Sequence, residues 1–373
     1  MRRGGILRMA SGAWECFIVR KFRLFSSSYN DTSGKKFLYQ LPFSLGMGRE
    51  KRFSPSIMKR FLLTFLLIHF PFLCLQAKHH GYSWKDEPGK HLDLLKGDRK
   101  IVRYVYERLD PEDRERTYKP FHHVYQADGK DFLTKGPGGK FTHHRGIYYG
   151  FSKCSAVNAA GKKVRIDTWH CKGGYQTHEK VIESKADDKG ASHAVEIAWR
   201  VDDGTIFASE KRTLSFSHRE DGSLQVDFSS VLSTKQDSVT LDGDPQHAGF
   251  QFRASNEVAA KTAKQTYYVR PKDGKDGMGK TKNWPGNKDM TNLSWKAQSV
   301  VVSDRRYFTV YLDHPDNPKP SFYSERDYGR FGSYFKSQLT PAKPVKIKYR
   351  LVIGTEERDP ASCAALSKEF NQK

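Results

Sequence analysis

The sequence predicts an all-β protein, a large antiparallel β-sandwich or barrel with a short C-terminal helix. Three observations lead there. Apolar and polar residues alternate over many short stretches, the period of a strand with one buried face. Turn signals such as Asp202-Asp203-Gly204, Asp221-Gly222 and Asp242-Gly243-Asp244 separate those stretches. Only one segment, roughly Pro360 to Phe370, reads as a helix, and no internal repeat of fixed period is visible.

The 373 residues allow one large β domain or two smaller ones. From the N-terminus, Met58-Lys59-Arg60 leads into an apolar run ending at Ala77. A basic start, a short apolar core and a small final residue read as a secretory signal over 58–77. The run is shorter than the ~20 residues of a spanning helix and contains Pro71. Translation is therefore expected to start at Met58, with residues 1–57 a mis-called upstream extension. The mature chain is expected to be secreted or periplasmic, with no integral membrane domain after signal cleavage.

Residues 78–117 read as a lead-in: 78–98 polar and flexible, then a strand at Ile101–Tyr106 and a charged turn or short helix over Asp110–Arg116. Phe121–Ala127 is strand-like, with Asp128-Gly129 as its turn. Residues 118–356 form the expected β domain. Val195, Ile197, Trp199 and Val201 share one face, and Leu224, Val226 and Phe228 repeat the pattern. So do Phe250 and Phe252, then Phe308, Val310 and Leu312, then Ile347, Tyr349, Leu351 and Ile353. Pro271–Pro285 and Asp313–Pro320 are excursion loops, the first a candidate cover for a pocket. Residues 357–373 are the C-terminal helix and tail.

The formal net charge is +22, yet residues 78–373 carry 51 Lys/Arg against 39 acids, spread thinly. No basic run interleaved with stacking aromatics, zinc-finger or RNP-like motif occurs, so a nucleic-acid partner is not expected. Three cysteines follow residue 77. Cys154 and Cys171 lie in neighbouring expected strands and could bridge in an oxidising compartment; Cys363 would be left free.

The candidate site centres on Phe141–Gly150, which follows the flexible Gly136-Pro137-Gly138-Gly139. Adjacent side chains on a regular strand point to opposite faces. His143 and His144 can therefore serve one ligand only if the backbone there is looped. Imidazole suits proton transfer or metal ligation near neutral pH. His143, His144 and His247 are the candidates for catalysis. Arg145, Trp169, His170, Asp313 and His314 are the candidates for substrate binding. Glu179, Glu210 and Glu257 are weaker candidates for a base, and His122 and His123 read as structural. His143, His144, His170, His247 and Asp313 are ligand types for zinc, iron or copper. No two of these histidines stand at i,i+2 or i,i+4, so no metal set is assigned and no cofactor is named.

Several of these segments together resemble one family. They are Thr142–Gly150, Asp167-Thr168-Trp169-His170, Asp244–Phe250, Asp313–Pro318 and Arg326–Phe331. The resemblance, over about residues 118–356, is to the PmoA-like domain of unknown function of secreted bacterial proteins, notably of planctomycete type. It implies a supersandwich like that of the galactose mutarotases and aldose epimerases. The label methane oxygenase attached to that family implies a metal-dependent oxidoreductase, but no apolar stretch after residue 77 is long enough to span a membrane. The expected ligand is a small molecule or polysaccharide, carbohydrate or a related polyhydroxy compound. The expected activity is histidine-based epimerisation or elimination, with a noncatalytic carbohydrate-binding module as the alternative.

Overall fold

The computed structural model describes residues 81–372. The expected upstream extension and secretory signal lie outside the described residues. Strands dominate and fall into three antiparallel sheets. The first has eight strands, in spatial order Tyr82–Glu87, His91–Lys96, Arg99–Val105, Phe121–Val124, Ile147–Phe151, Ala248–Arg253, Arg330–Tyr334 and Phe322–Arg326. The second has nine: Gly274–Lys275, Tyr267–Arg270, Trp295–Val302, Arg305–Asp313, Val345–Gly354, Leu224–Ser233, Ile206–His218, Ala191–Val201 and Gly174–Ala186. A four-stranded sheet of Ser337–Leu339, Val239–Asp242, Lys153–Val157 and Lys163–Ile166 completes the set.

The two large sheets face each other, and period-two alternation decides what each strand puts between them. Ile147, Tyr149 and Phe151 point inward, as do Phe250 and Phe252 on the neighbouring strand. From the other sheet Trp199 meets Tyr149 at 5.6 Å, Phe228 meets Phe250 at 4.4 Å and Tyr349 stacks on Phe250 at 4.8 Å. Aromatic contacts of this kind carry most of the buried area in such a core. The expected sandwich is thus present.

Each outer face carries its own cover. The helix Pro360–Asn371 starts at Asp359, whose carboxylate accepts the Ser362 N–H at 2.7 Å. It lays Cys363, Leu366 and Phe370 on Trp295, Phe308, Val310 and Leu312 of the nine-stranded sheet. On the outside of the eight-stranded sheet a small cluster of Phe121, Tyr148 and Trp169 forms instead.

Three expectations change. Tyr82–Glu87 and His91–Lys96 are paired strands of the eight-stranded sheet, not a flexible lead-in. Tyr82, Leu92 and Leu94 are buried, but the run Lys85-Asp86-Glu87 in the first strand and the apolar Leu95 after Leu94 in the second break the alternation. Cys154 and Cys171 are free and buried, as is Cys363. Cys154 sits in a strand of the small sheet; Cys171 occupies a turn at φ +53° with its thiol toward the Thr168 carbonyl. The 271–285 excursion is tied to the Phe322–Arg326 strand. Glu325 accepts the Lys282 N–H at 2.7 Å, and Trp284 lies 4.1 Å from Phe322. Among the described residues no helix is long and apolar enough to cross a membrane.

Candidate functional site

The outer face of the eight-stranded sheet receives every second residue of its central strands. Tyr148, Gln251 and Arg253 point there because Tyr149, Phe250 and Phe252 point inward. Gly249 brings the middle strands close. It sits at φ +77°, and a Cβ there would lie 2.1 Å from the Ser333 carbonyl oxygen. Three connections fold over this face, the first delivering two histidines and the others one each.

The first is the 125–146 loop. Gly138 and Gly139 adopt left-handed φ, and a Cβ on Gly139 would meet Asn256 at 2.4 Å. The loop ends in a turn in which the His144 N–H donates to the Phe141 carbonyl at 3.0 Å. Because the backbone turns, His143 and His144 stand side by side, ring centres 4.6 Å apart. The looped backbone that two adjacent imidazoles require is present.

The second and third connections share one device. Asp167 Oδ1 accepts the N–H groups of Trp169 and His170, both at 2.8 Å, and its Oδ2 holds His170 Nδ1 at 2.7 Å. Asp244 Oδ1 likewise accepts from Gln246 at 2.8 Å and His247 at 3.1 Å, and its Oδ2 lies 3.3 Å from His247 Nδ1. Each is a turn closed by an aspartate on the next backbone N–H groups. In each the same carboxylate also orients the histidine three residues on. With Nδ1 facing an acceptor, Nε2 is the nitrogen left bare.

His143, His170 and His247 converge. Ring centres are 4.4 Å apart for His143–His170, 4.8 Å for His170–His247 and 5.5 Å for His143–His247. One ring nitrogen from each lies within 4.8 Å of the others. His143 Nε2 is buried without a hydrogen-bond partner. Burial, then the neighbouring charges of His170 and Lys119, press His143 down to about 2. His144 is lowered by burial and by Arg253, and His247 by burial against the opposing pull of Asp244. For Asp244 the hydrogen bond and charge of His247 outweigh burial and hold the carboxyl at about 2; Asp167 is lowered the same way by His170.

Around this cluster lie buried cations. Lys119 donates to the carbonyls of His143 (2.9 Å) and Trp169, and burial lowers it to about 7. Arg253 lies 5.1 Å over Trp169 and donates to Gln251 Oε1 and the Gln246 carbonyl. Arg330 donates to Ser324 Oγ at 3.1 Å, and its Nε and Nη2 are buried without partners. Burial lowers both guanidiniums, Arg330 to about 10. Among the described residues none of Lys119, Arg145, Arg253 and Arg330 pairs with a carboxylate. The buried cations Arg212, Arg270, Lys296 and Arg350 all do.

The structure therefore brings His143, His144, Trp169, His170 and His247 together and assigns the other candidates elsewhere. Arg145 is 1% exposed and braces the loop from behind. It donates to the carbonyls of Thr142 and His144, each at 2.7 Å, and of Glu115. Trp169 is buried against Tyr148, a wall rather than a stacking surface; the part-exposed Phe141 and Tyr328, 4.5 Å apart, hold that place. Asp313 is buried in a corner, accepting from Asn317 at 2.7 Å and from Tyr323, while His314 packs on Phe370. Both lack contacts to the cluster among the described residues. Glu179 and Glu210 are bound to Arg200 and Arg212, and Glu257 accepts the Ser303 N–H. His122 hydrogen-bonds His193 at 2.9 Å between the sheets, and His123, on the opposite face of its strand, is buried under Phe132. Asp167, Asp244, Lys119, Arg253 and Arg330 were not assigned from sequence. The doubled Asp-x-x-His spacing was the available signal for the two aspartates.

A cleft of about 460 Å³ beside the small sheet, lined by Asn158, Lys163, Lys235 and Gln236, contains none of these imidazoles. Structural comparison finds a GalM/aldose epimerase homologue from C. elegans at TM-score 0.35 and 7% identity, covering 74% of this chain and 99% of that one. A protein from Synechocystis follows at 0.32 and 13%, covering 74% and 96%. A polysaccharide lyase gives 0.30 and 10%, covering 77% and 34%. At scores this low the likeness says nothing about chemistry. A search of curated proteins finds no match. Residues 91–368 match DUF6807, a family of unknown function, and the chain belongs to that family.

Proposed function

We propose that the β-sandwich domain binds an acidic polyhydroxy ligand, such as a carboxylated sugar, and acts on it at the imidazole cluster. One observation carries this reading. Arg212, Arg270, Lys296 and Arg350, buried elsewhere in the domain, have carboxylate partners, and Arg145 and Lys135 in the loop are held by backbone carbonyls, whereas Lys119, Arg253 and Arg330 lie beside the cluster with no carboxylate partner. A buried charge without a partner destabilises the fold strongly. An anionic ligand supplies the partner, and guanidinium suits carboxylate by its planar fork. Phe141 and Tyr328 add apolar ring surface at the rim for a sugar's C–H face. Export, expected from residues 58–77, would place the domain among extracellular polysaccharides. The oxidative chemistry named by the PmoA label is the alternative, and what the three histidines hold bears on it.

The test is a binding panel of uronic acids and their oligosaccharides against neutral sugars of matched stereochemistry, read by calorimetry and NMR. The acidic members should bind at least about tenfold tighter, a difference of about 1.4 kcal/mol. Arg330→Met should abolish that preference. Because it removes an unpaired buried charge, the same variant should keep or raise the melting temperature. Equal binding of neutral and acidic sugars, or an Arg330→Met protein that unfolds readily, would overturn the reading. NMR of the same samples over hours reports epimer exchange or elimination; intact ligand throughout would remove the catalytic half of the proposal.

A further inference from the structure

We propose that His143, His170 and His247 bind one divalent transition-metal ion, zinc or a first-row neighbour, through three imidazole nitrogens. The proposal goes beyond the ligand reading and does not depend on it. Three observations meet here. First, the three rings present nitrogens within 4.8 Å of one another, and no hydrogen bond joins any two of them. Second, Asp167 and Asp244 hold Nδ1 of His170 and His247, so their bare Nε2 atoms are acceptors. His143 Nε2 is buried without a partner. Lone pairs gathered without a donor repel, and a cation among them removes the repulsion. Third, a carboxylate on the far nitrogen of a ligating histidine fixes its tautomer and strengthens it as a ligand. Two of the three histidines have that support, on turns built alike.

The donor set selects the metal class. All-imidazole sites suit zinc, copper, iron and nickel, while magnesium and calcium require oxygen ligands. Three histidines leave a tetrahedral ion one open position, the arrangement of reactive rather than purely structural zinc. At metal–nitrogen distances of about 2.0–2.1 Å, tetrahedral ligands stand roughly 3.3 Å apart. The three rings therefore need to close by no more than about 1.5 Å, within reach of side-chain rotation. His144 is excluded from the set: it is buried and packs against both Phe141 and Tyr328. The nearby cations oppose a second positive charge, and Asp167 and Asp244, one imidazole away, offset it. An anion in the open position would do the same.

The experiment uses the full chain, stripped with a chelator and titrated with zinc and with cobalt(II). Elemental analysis should give one ion per chain, and the cobalt protein should show the visible absorption of tetrahedral coordination. His170→Gln and His247→Gln should abolish uptake. Asp167→Asn and Asp244→Asn keep all three rings and should weaken affinity by about 10–100-fold. His314→Ala, outside the cluster, should bind as wild type does. Folding of each variant is checked by circular dichroism. A folded wild-type protein that takes up no zinc or cobalt overturns the proposal. So does uptake that His170→Gln and His247→Gln leave intact. The titration contains no sugar, so its failure is distinct from failure of the ligand panel.

Discussion

At the scale of single residues, the domain handles buried charge in two ways. Arg212 and Glu210 are each no more than 1% exposed and are joined at 2.8 Å, with the Trp199 indole donating to the same carboxylate at 3.0 Å. This is a closed group that needs nothing from outside. Arg330 and Arg253 are as deeply buried but look toward the histidine cluster without a carboxylate. The contrast gives opposite signs for two substitutions. Glu210→Gln leaves Arg212 buried and uncompensated, and should cost about 3–5 kcal/mol of unfolding free energy in urea titrations. A loss below about 1 kcal/mol would show that such charges are tolerated here without partners. The argument for an anion beside Arg330 would then fall with it.

Elements were legible where one face is dry and the other wet. Ala191–Val201, Leu224–Ser233 and Val345–Gly354 alternate along their length, and the sequence marks them as strands. Trp295–Val302 is buried on both faces, so the alternation of Trp295-Lys296-Ala297-Gln298 does not mean one wet face: Trp295 and Ala297 lie under the helix, while Lys296 and Gln298 are buried on Glu325 and Tyr268. The first two strands were missed because charged residues crowd them: Lys85, Asp86 and Glu87 end the edge strand Tyr82–Glu87, and the doubly paired His91–Lys96 buries Asp93 between Leu92 and Leu94. The helix was legible from Asp359, Pro360 and the spacing of Cys363, Leu366 and Phe370. Its role as cover for the nine-stranded sheet was not. Phe370→Ala should cost about 3–5 kcal/mol, the range for truncating a buried aromatic. Because Phe370 packs on the sheet opposite the cluster, zinc uptake per folded chain should not change. A variant that lost uptake while folded would show that the two faces are coupled.

For the whole molecule, the site exists because distant segments become neighbours. His143 and His247 are brought together by pairing of Ile147–Phe151 with Ala248–Arg253, where Gly150 meets Gly249. Nothing in the local sequence marks that pairing, so the histidines were grouped as candidates for one site while the geometry that joins them was not legible. Burial of neutral imidazoles extends beyond the site. His122 and His193 hydrogen-bond each other in the core, and His123 lies under Phe132. Burial lowers all three, His123 and His193 to about 3. In the unfolded chain they titrate near the ordinary value of about 6.5. Above that pH both states are neutral there and the stability is fully present. As pH falls toward about 3, the unfolded chain binds protons that the folded chain refuses, and stability is lost. Each such group contributes up to about 1.4 kcal/mol per pH unit below its unfolded value. The urea midpoint should therefore be level above about pH 7 and drop steeply between about pH 6.5 and about pH 5. His193→Leu should make the drop shallower, since one fewer ring distinguishes the two states. A midpoint that stays level over this range would mean that the folded core accepts the protons. His122 and His193 could not then be a neutral hydrogen-bonded pair.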